Sequence, residues 1–443
     1  MTNNLLLIKN ARILDPGAGI DETGDILIAE GKISKTGKDI TKSGASIIDA
    51  SGLIVCPGFI DLHCHLRQPG YENKETIASG AAAAARGGYT TICCMPNTNP
   101  PLDSAATISY VRELAARDAP RVRILPVGCI TAGRAGKELA NLTELADAGC
   151  VGFSDDGSPV SDTRIMSLAM ENTAMLDLPI IDHCEDINLS QGGHMNDGWV
   201  AARLGLKGIP AAAEEIMVAR DIALCELTGA RLHVTHMSTA GSLQLIRAAK
   251  KRGLKVTCDV TPHNLTLTHE RVMKTQNGAQ TLLAYDTNAR VNPPLRSPDD
   301  IEALIGGIAD GTIDAVATDH APHTAEDKLC EFENAVSGIS GFETAFGVLM
   351  SLVHSGKIGL NALVTSLTAG PARVLRDKAG TLQTGTRADI VLLDIGHEWT
   401  VDVQNFLSKG RNTPFAGCKL KGMVMATISS GQLSWHHSSV RIS

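Results

Sequence analysis

The sequence predicts an α/β protein: a (β/α)8 TIM-like barrel with a small β-sandwich domain formed by the N- and C-terminal segments. Three observations predict it. Short apolar segments alternate with helix-length stretches through the middle of the chain. Strand-like, β-branched runs occupy both ends. Polar residues of the middle recur where its apolar segments stop.

The first 55 residues contain LLLIKNARIL, DILIAEGKIS and SIIDASGLIV, β-branched runs separated by Gly and Asp turns. ADIVLLDIG and KLKGMVMATISSGQLSW near the other end look similar. Neither piece is expected to bury a face alone, so residues 1–55 and 379–443 are assigned to one small domain bracketing a barrel of residues 56–378. Eight apolar segments follow in order: VCPGFIDLH, YTTICCMPN, RVRILPVGC, GCVGFSD, LPIIDHC, RLHVTHMS, LKVTCDVTPH and TIDAVATDHAPH. Stretches of helical length lie between them, among them TIASGAAAAARGG, ATISYVRELAARD, AAAEEIMVARDIALCELT and SLQLIRAAKKRG. Near-continuous apolar strands alternating with helices indicate a parallel sheet covered by helices.

The 443-residue length fits a barrel of ordinary size plus an appended domain. Aromatics are only 3% of the chain, so its core must be built mainly from Ala, Val, Ile and Leu. A formal net charge of −8 argues against a general nucleic-acid binder. The eleven cysteines are scattered, odd in number and often set in apolar runs, which reads as small buried hydrophobes. No apolar stretch is long enough for a membrane span, and the N-terminus lacks a signal-peptide pattern. A reducing cytoplasm is the expected location.

Barrel active sites sit at the C-terminal ends of the strands. His63 and His65 close the first segment, Asn97 follows the second, and Asp155 and Asp156 follow the fourth. His183 ends the fifth, His233 and His236 the sixth, His263 the seventh, and Asp319, His320 and His323 the eighth. One histidine at a strand end is usually structural; six of eight strand ends supplying His or Asp is not readily accidental. Imidazole and carboxylate are good zinc ligands. His63 and His65 are two positions apart, so in a strand both point to one side. Several strands then converge on one or two metals, which would lower the pKa of a water and polarise a carbonyl.

The segment GFIDLHCHLRQPGYENKE resembles the metal-binding signature of dihydroorotases in the amidohydrolase superfamily. MPNTNP (95–100), FSDDG (153–157), DHCED (182–186), HVTHMS (233–238), ARVNPPLR (289–296) and TDHAPH (318–323) extend the resemblance in family order. GTLQTGTRADIVLLD resembles the return to the small domain. The likeness is to the long-chain bacterial type. It implies reversible cyclisation of N-carbamoyl-L-aspartate to L-dihydroorotate in pyrimidine (UMP) biosynthesis, by zinc-activated water, with one or two Zn2+ per chain.

The resemblance also implies roles. His63 and His65 match the first metal pair, and His183 and His236 the ligands of a second metal. Asp319 matches the aspartate that binds metal and shuttles a proton. Arg67, Asn97 and His323 match groups that hold the substrate carboxylate, and Asn292 a substrate contact after the seventh strand. Many superfamily members place a carbamylated lysine at the end of strand four. FSDDG has none, and Asp155 matches the aspartate that replaces it, with Asp156 the second choice. His233 is expected to support His236, and His320 to orient its neighbours. His194 and His269 are expected in surface or loop positions, and Glu214 and Glu215 at a solvated helix start. Two other readings stay open: a hydantoinase- or allantoinase-like cyclic amidohydrolase, and an inactive scaffold for aspartate transcarbamoylase. A homodimer and an association of the active enzyme with that transcarbamoylase also stay open, whereas nucleic-acid and membrane partners are not expected.

Overall fold

A computed structural model describes residues 5–276 and 279–443. Seven short parallel strands and one isolated bridge residue form a ring. Its order is Phe59–Cys64, Tyr89–Cys94, Arg123–Pro126, Phe153, Pro179–Asp182, Arg231–Val234, Val256–Val260 and Ala315–Val316. Phe153 bridges Gly128 on one side and Ile180 on the other, and Cys64 bridges His320 to close the circle. The expected eight positions are therefore occupied. GCVGFSD is tied to both neighbours by backbone hydrogen bonds, from Val151 N to Pro126 O at 3.0 Å, Ser154 N to Gly128 O at 2.8 Å and Phe153 N to Pro179 O at 3.0 Å.

Helices flank the ring: Ile77–Arg86, Ala105–Asp118, Leu142–Ala148, Thr163–Leu176, Ala212–Thr228, Ala240–Lys251 and Pro298–Ala309. Phe342–His354, Leu360–Leu367 and Ala369–Leu375 follow the last strand. Local chemistry starts several of them. Thr76, Ser104 and Ser297 each close a capping box at a helix N-terminus, satisfying donors that have no partner inside the helix. The alanine run at 81–85 buries four of its five methyls against the barrel, as a good helix former in close packing should. Ile60, Leu62, Cys93, Val127, Ile181 and Ala315 come from strands around the ring yet form one apolar cluster. That shared contact makes the ring a packed core rather than a pore.

The terminal segments build one hydrogen-bonded sheet. Its order is Gln432–His436, Lys419–Ser429, Ile390–Thr400, Ile54–Pro57, Leu6–Asp15, Ile20–Ala29 and Lys32–Gly37, with Ser46–Asp49 paired onto Leu6–Asp15. Ile26, Ile28 and Ile33 from one end of this order share a core with Met425, Ala426 and Ile428 from the other. The sheet therefore folds over on itself, the sandwich arrangement expected of it. A backbone bridge between Lys32 and Arg387 brings the far edge back to the chain entering Ile390–Thr400. Ile54–Pro57 belongs to this sheet, and Phe59 opens the barrel two residues later.

Candidate active site

The carboxyl ends of the strands converge on a cluster of four histidines and two aspartates. His63 Nδ1 donates to Thr235 Oγ1 at 2.8 Å, because that hydroxyl is itself committed as a donor to Asp259. His65 Nδ1 donates to Asn97 Oδ1 at 2.9 Å. Both tautomers are thus set, and both Nε2 lone pairs face inward. His63 Nε2 lies 3.4 Å from Asp156 and 3.6 Å from Asp319, and His65 Nε2 lies 3.0 Å from Asp319. His183 Nδ1 sits 3.0 Å from His236 Nε2, and both are within 3.5 Å of the same Asp156 oxygen.

The residues fit a metal. His63 Nε2 is buried without a hydrogen-bond partner. Two sets of ligand atoms, His63–Asp156–His236 and His63–His65–Asp319, each lie within 4.8 Å of one another. The electrostatics ask for positive charge at the same place. Burial opposes a charged His63, yet Asp156 and Asp319 outweigh it and raise its pKa to about 9. His183 is likewise raised well above its ordinary value against burial, by Asp156 and Glu185. Burial also works against ionised Asp156 and Asp319, but the surrounding histidines hold both below the usual carboxylate range. A third buried set, Asp182–Cys184–Asp221, already has a cation: Arg220 pairs with Asp221 at 2.7 Å.

One expectation is corrected. The sequence reading put Asp155 among the ligands and made Asp156 the second choice. Asp155 instead turns away, accepting from Ile130 N at 2.9 Å, Thr131 N at 3.2 Å and the Thr131 hydroxyl. Adjacent residues in an extended segment point to opposite sides, so only one of the two can face the histidines. Asp155 ties the loop after strand three, and Asp156 faces the cluster.

Arg67, Asn97, Asn292 and His323 line the same open cleft of about 290 Å³ as the histidines and Asp319. Asn97 and Asn292 are less free than expected. Asn97 also donates to Asp156 at 3.2 Å, and Asn292 donates to Glu185 at 2.9 Å. Among the described residues Arg67 has no carboxylate partner; its Nε donates to Pro322 O at 3.3 Å. Beside it, His323 is buried and ringed by Arg67, Lys74 and Lys328, so burial and those cations lower its pKa to about 2 and keep it neutral. Lys74 Nζ lies 3.3 Å from His323 Nδ1, and His323 Nε2 lies 2.9 Å from Ser337 O and 3.2 Å from the Arg67 guanidinium.

Supporting residues went unnoticed in the sequence. Glu185 holds His183 Nε2 at 2.9 Å, and Asp259 joins His233 at 2.8 Å to the His236 N–H at 2.7 Å. Such partners orient ligating imidazoles. Glu185 had a visible signal, an acid two residues after His183; Asp259 had none, because its link to His236 crosses between strands. His320 contacts Glu75 at 3.3 Å and accepts from Gly341 N at 3.1 Å, an orienting position. Two expectations about bystanders are overturned. Glu214 stands in the first turn of Ala212–Thr228 as expected, but it is buried rather than solvated and accepts from Ser238 N and Thr239 N just beyond His236. His269 is buried against Asn196 rather than at the surface.

A family model described as Dihydro-orotase-like matches residues 52–242. A dihydroorotase from Pelotomaculum thermopropionicum is 50% identical over 429 residues, covering 97% of this chain and 98% of that protein. One from a Thermoanaerobacter species is 49% identical over 431 residues, 97% of each. Among solved structures, an L-hydantoinase (dihydropyrimidinase) from Arthrobacter aurescens superposes with a TM-score of 0.85 at 25% identity, covering 99% of this chain and 98% of that one.

Proposed function

The chain belongs to the dihydroorotase family, and on that premise we propose that its histidine–aspartate cluster holds zinc and that Arg67 and His323 hold the substrate carboxylate. The reaction is the reversible cyclisation of N-carbamoyl-L-aspartate to L-dihydroorotate. His63, His65, His183, His236, Asp156 and Asp319 would hold one or two zinc ions. When bound, zinc supplies Lewis acidity and a water of lowered pKa.

The chain's own residues do the rest. Arg67 offers a planar fork to the carboxylate, and His323, kept neutral beside it, completes the pocket. Holding that carboxylate sets the scissile amide against the histidine cluster and removes orientational freedom before reaction. In ring opening, Asp319 takes a proton from the attacking water and returns it to the departing ring nitrogen. In ring closure it takes the proton from the ureido nitrogen as that nitrogen bonds to the carboxyl carbon, and returns it to the departing carboxyl oxygen, which leaves as water with a second proton from solvent. Asn97 and Asn292 line the same cleft and contact the substrate in this reading, while Asn97 also keeps His65 and Asp156 in line and Asn292 keeps Glu185.

One observation carries this reading: the Arg67 guanidinium, without a carboxylate partner among the described residues, shares a cleft with the metal-type cluster. A hydantoin or allantoin has no carboxylate to place there. The test is zinc per chain on a purified sample, with hydrolysis of L-dihydroorotate beside hydantoin and allantoin. Zinc with selective dihydroorotate turnover is expected. Turnover of only the other rings would overturn the substrate, and absence of both zinc and turnover would favour the scaffold reading.

The cytoplasm is the proposed location. All eleven cysteines are unpaired thiols, nine of them buried, which suits a reducing compartment. No described helix is long and apolar enough to cross a membrane. A homodimer, and a complex with aspartate transcarbamoylase, are the proposed assemblies; sedimentation of the protein alone and with the transcarbamoylase tests both. Residues 1–55 with 379–443, and 56–378, are the proposed domains.

A further inference from the structure

The connection between Ile390–Thr400 and Lys419–Ser429 leaves the small sheet and runs onto the barrel. Phe406 and Phe415 anchor it in an apolar cluster with Val348. Between those anchors Leu407, Lys409 and Arg411 are exposed, while Ser408, Gly410 and Asn412 are buried on the side that faces the back of the cleft. A side-chain carbon added to Gly410 would lie 2.6 Å from Pro322 Cβ and 2.3 Å from Ser340 Oγ. Only glycine permits so close an approach to the segment whose Pro322 carbonyl holds Arg67.

Asn412 follows, 4% exposed. Its Oδ1 accepts from His323 N at 2.9 Å and from Ser340 Oγ at 2.8 Å. Its Nδ2 donates to Ala321 O and to Gly338 O, each at 3.0 Å. The amide has two acceptor sites and two donor hydrogens, and all four are used. Its partners lie on two adjoining walls of one cleft, Ala321 with His323 and Gly338; the two also pair directly, Ala321 N donating to Ile339 O at 2.8 Å. Asn412 does not line the cleft itself.

We propose that Asn412 is a positioning residue for substrate specificity, locking the two adjoining walls against each other from behind so that they hold their shape beside the substrate carboxylate. This rests on the reading that Arg67 and His323 hold that carboxylate. A residue from the chain's distal, non-barrel part thus sets how tightly the barrel holds an acidic substrate. The amide is required for this. An aspartate of the same shape cannot donate, and would set an oxyanion against the Ala321 and Gly338 carbonyls. Leaving buried groups unpaired is costly enough to shift the walls.

The test compares wild type with Asn412→Asp, Asn412→Ala and Ser340→Ala, using L-dihydroorotate, with orotate as a carboxylate-bearing competitor. For Asn412→Asp, KM and the orotate Ki rise about tenfold or more, while kcat falls by less than about threefold and zinc per chain is unchanged. Ser340→Ala keeps the amide and loses one of its partners, so it shifts KM and Ki in the same direction by less. If Asn412→Asp does not fold, Ser340→Ala and Asn412→Ala decide. A fall in kcat with unchanged KM and Ki, or a loss of thermal stability alone, would overturn the assignment. Wild-type protein that does not turn over dihydroorotate would overturn both this inference and the reading beneath it; active wild type with unaltered variant KM overturns this inference alone.

Discussion

The two halves of the cleft are built differently. The histidine–aspartate half comes from strand ends: His63 lies in Phe59–Cys64, and His65, Asp156, His183, His236 and Asp319 stand within three residues of a strand or bridge. An orienting partner is on a strand too: Asp259, in Val256–Val260, reaches His236 across the ladder. The carboxylate half comes from loops. Arg67 is held by the Pro322 carbonyl, and the His323 N–H by Asn412, some 90 residues further along the chain. Groups on rigid strands keep the precise spacing a metal demands, whereas groups on loops set which substrate is held. Strain is shared by both halves. Arg67, His236 and Asp319 all adopt left-handed φ values, 59°, 38° and 45°, which cost of order 1–3 kcal/mol each and persist only where surroundings impose them.

The largest expected effect breaks the comparison at its chemical centre. Asp319→Asn should keep the fold and lose turnover by about 10³-fold or more, measured as kcat for dihydroorotate hydrolysis. Near-normal turnover would remove the proton-transfer role. Next comes the aspartate pair. Asp156→Asn should lower zinc content and reduce activity about a hundredfold. Asp155→Asn should retain zinc and lose about 1–3 kcal/mol of stability, through its ties to Ile130 and Thr131. The reverse pattern, by metal analysis and urea unfolding, would restore Asp155 to the cluster.

Arg67→Met sharpens the contrast from the loop side. It should raise KM roughly tenfold to a hundredfold while zinc content stays unchanged. An unaltered KM would take Arg67 out of the carboxylate pocket.

The smallest effect concerns Glu343, which accepts from Leu407 N and Ser408 N at the root of the 407–412 segment. Burial raises its pKa from 4.5 to about 7, against the pull of those N–H groups and Arg86. The folded protein therefore binds this proton more tightly than the unfolded chain. The associated stability is fully present below about pH 4.5 and is lost as pH rises toward 7, by at most about 3 kcal/mol. Glu343→Gln should flatten unfolding free energy against pH across that window. An identical slope in the variant would show that Glu343 does not titrate there.

Much of the barrel was legible because period and position are local properties. Eight apolar segments, and the residues at their ends, can be marked off without knowing any partner. His63 and His65 share a side because strands alternate with a period of two, and Asp319 stands out because it ends the eighth segment. Resemblance to the dihydroorotases then supplied the expected roles of Arg67, His183, His236 and His323. The misplacement of Asp155 and Asp156 shows where local reasoning stops. Two adjacent acids are equivalent on paper, and the same alternation that unites His63 and His65 forces one of these two away. Which one turns inward depends on Thr131 and the Ile130 N–H, which belong to another strand's loop.

The sequence by itself determined the class of fold, the alternation of strand and helix, the histidine- and aspartate-bearing strand ends, and the family. Those follow from the hydrophobic period and from side-chain chemistry at fixed offsets. Only the tertiary structure decided which aspartate faces the histidines, that Glu214 and His269 are buried, that Asp259 supports His236, and that Asn412 joins two walls of the cleft. Each of those depends on hydrogen bonds between residues some 20 to 90 positions apart. Burial removes water as the alternative partner, so such groups pair where the fold brings them together, wherever they lie in the chain.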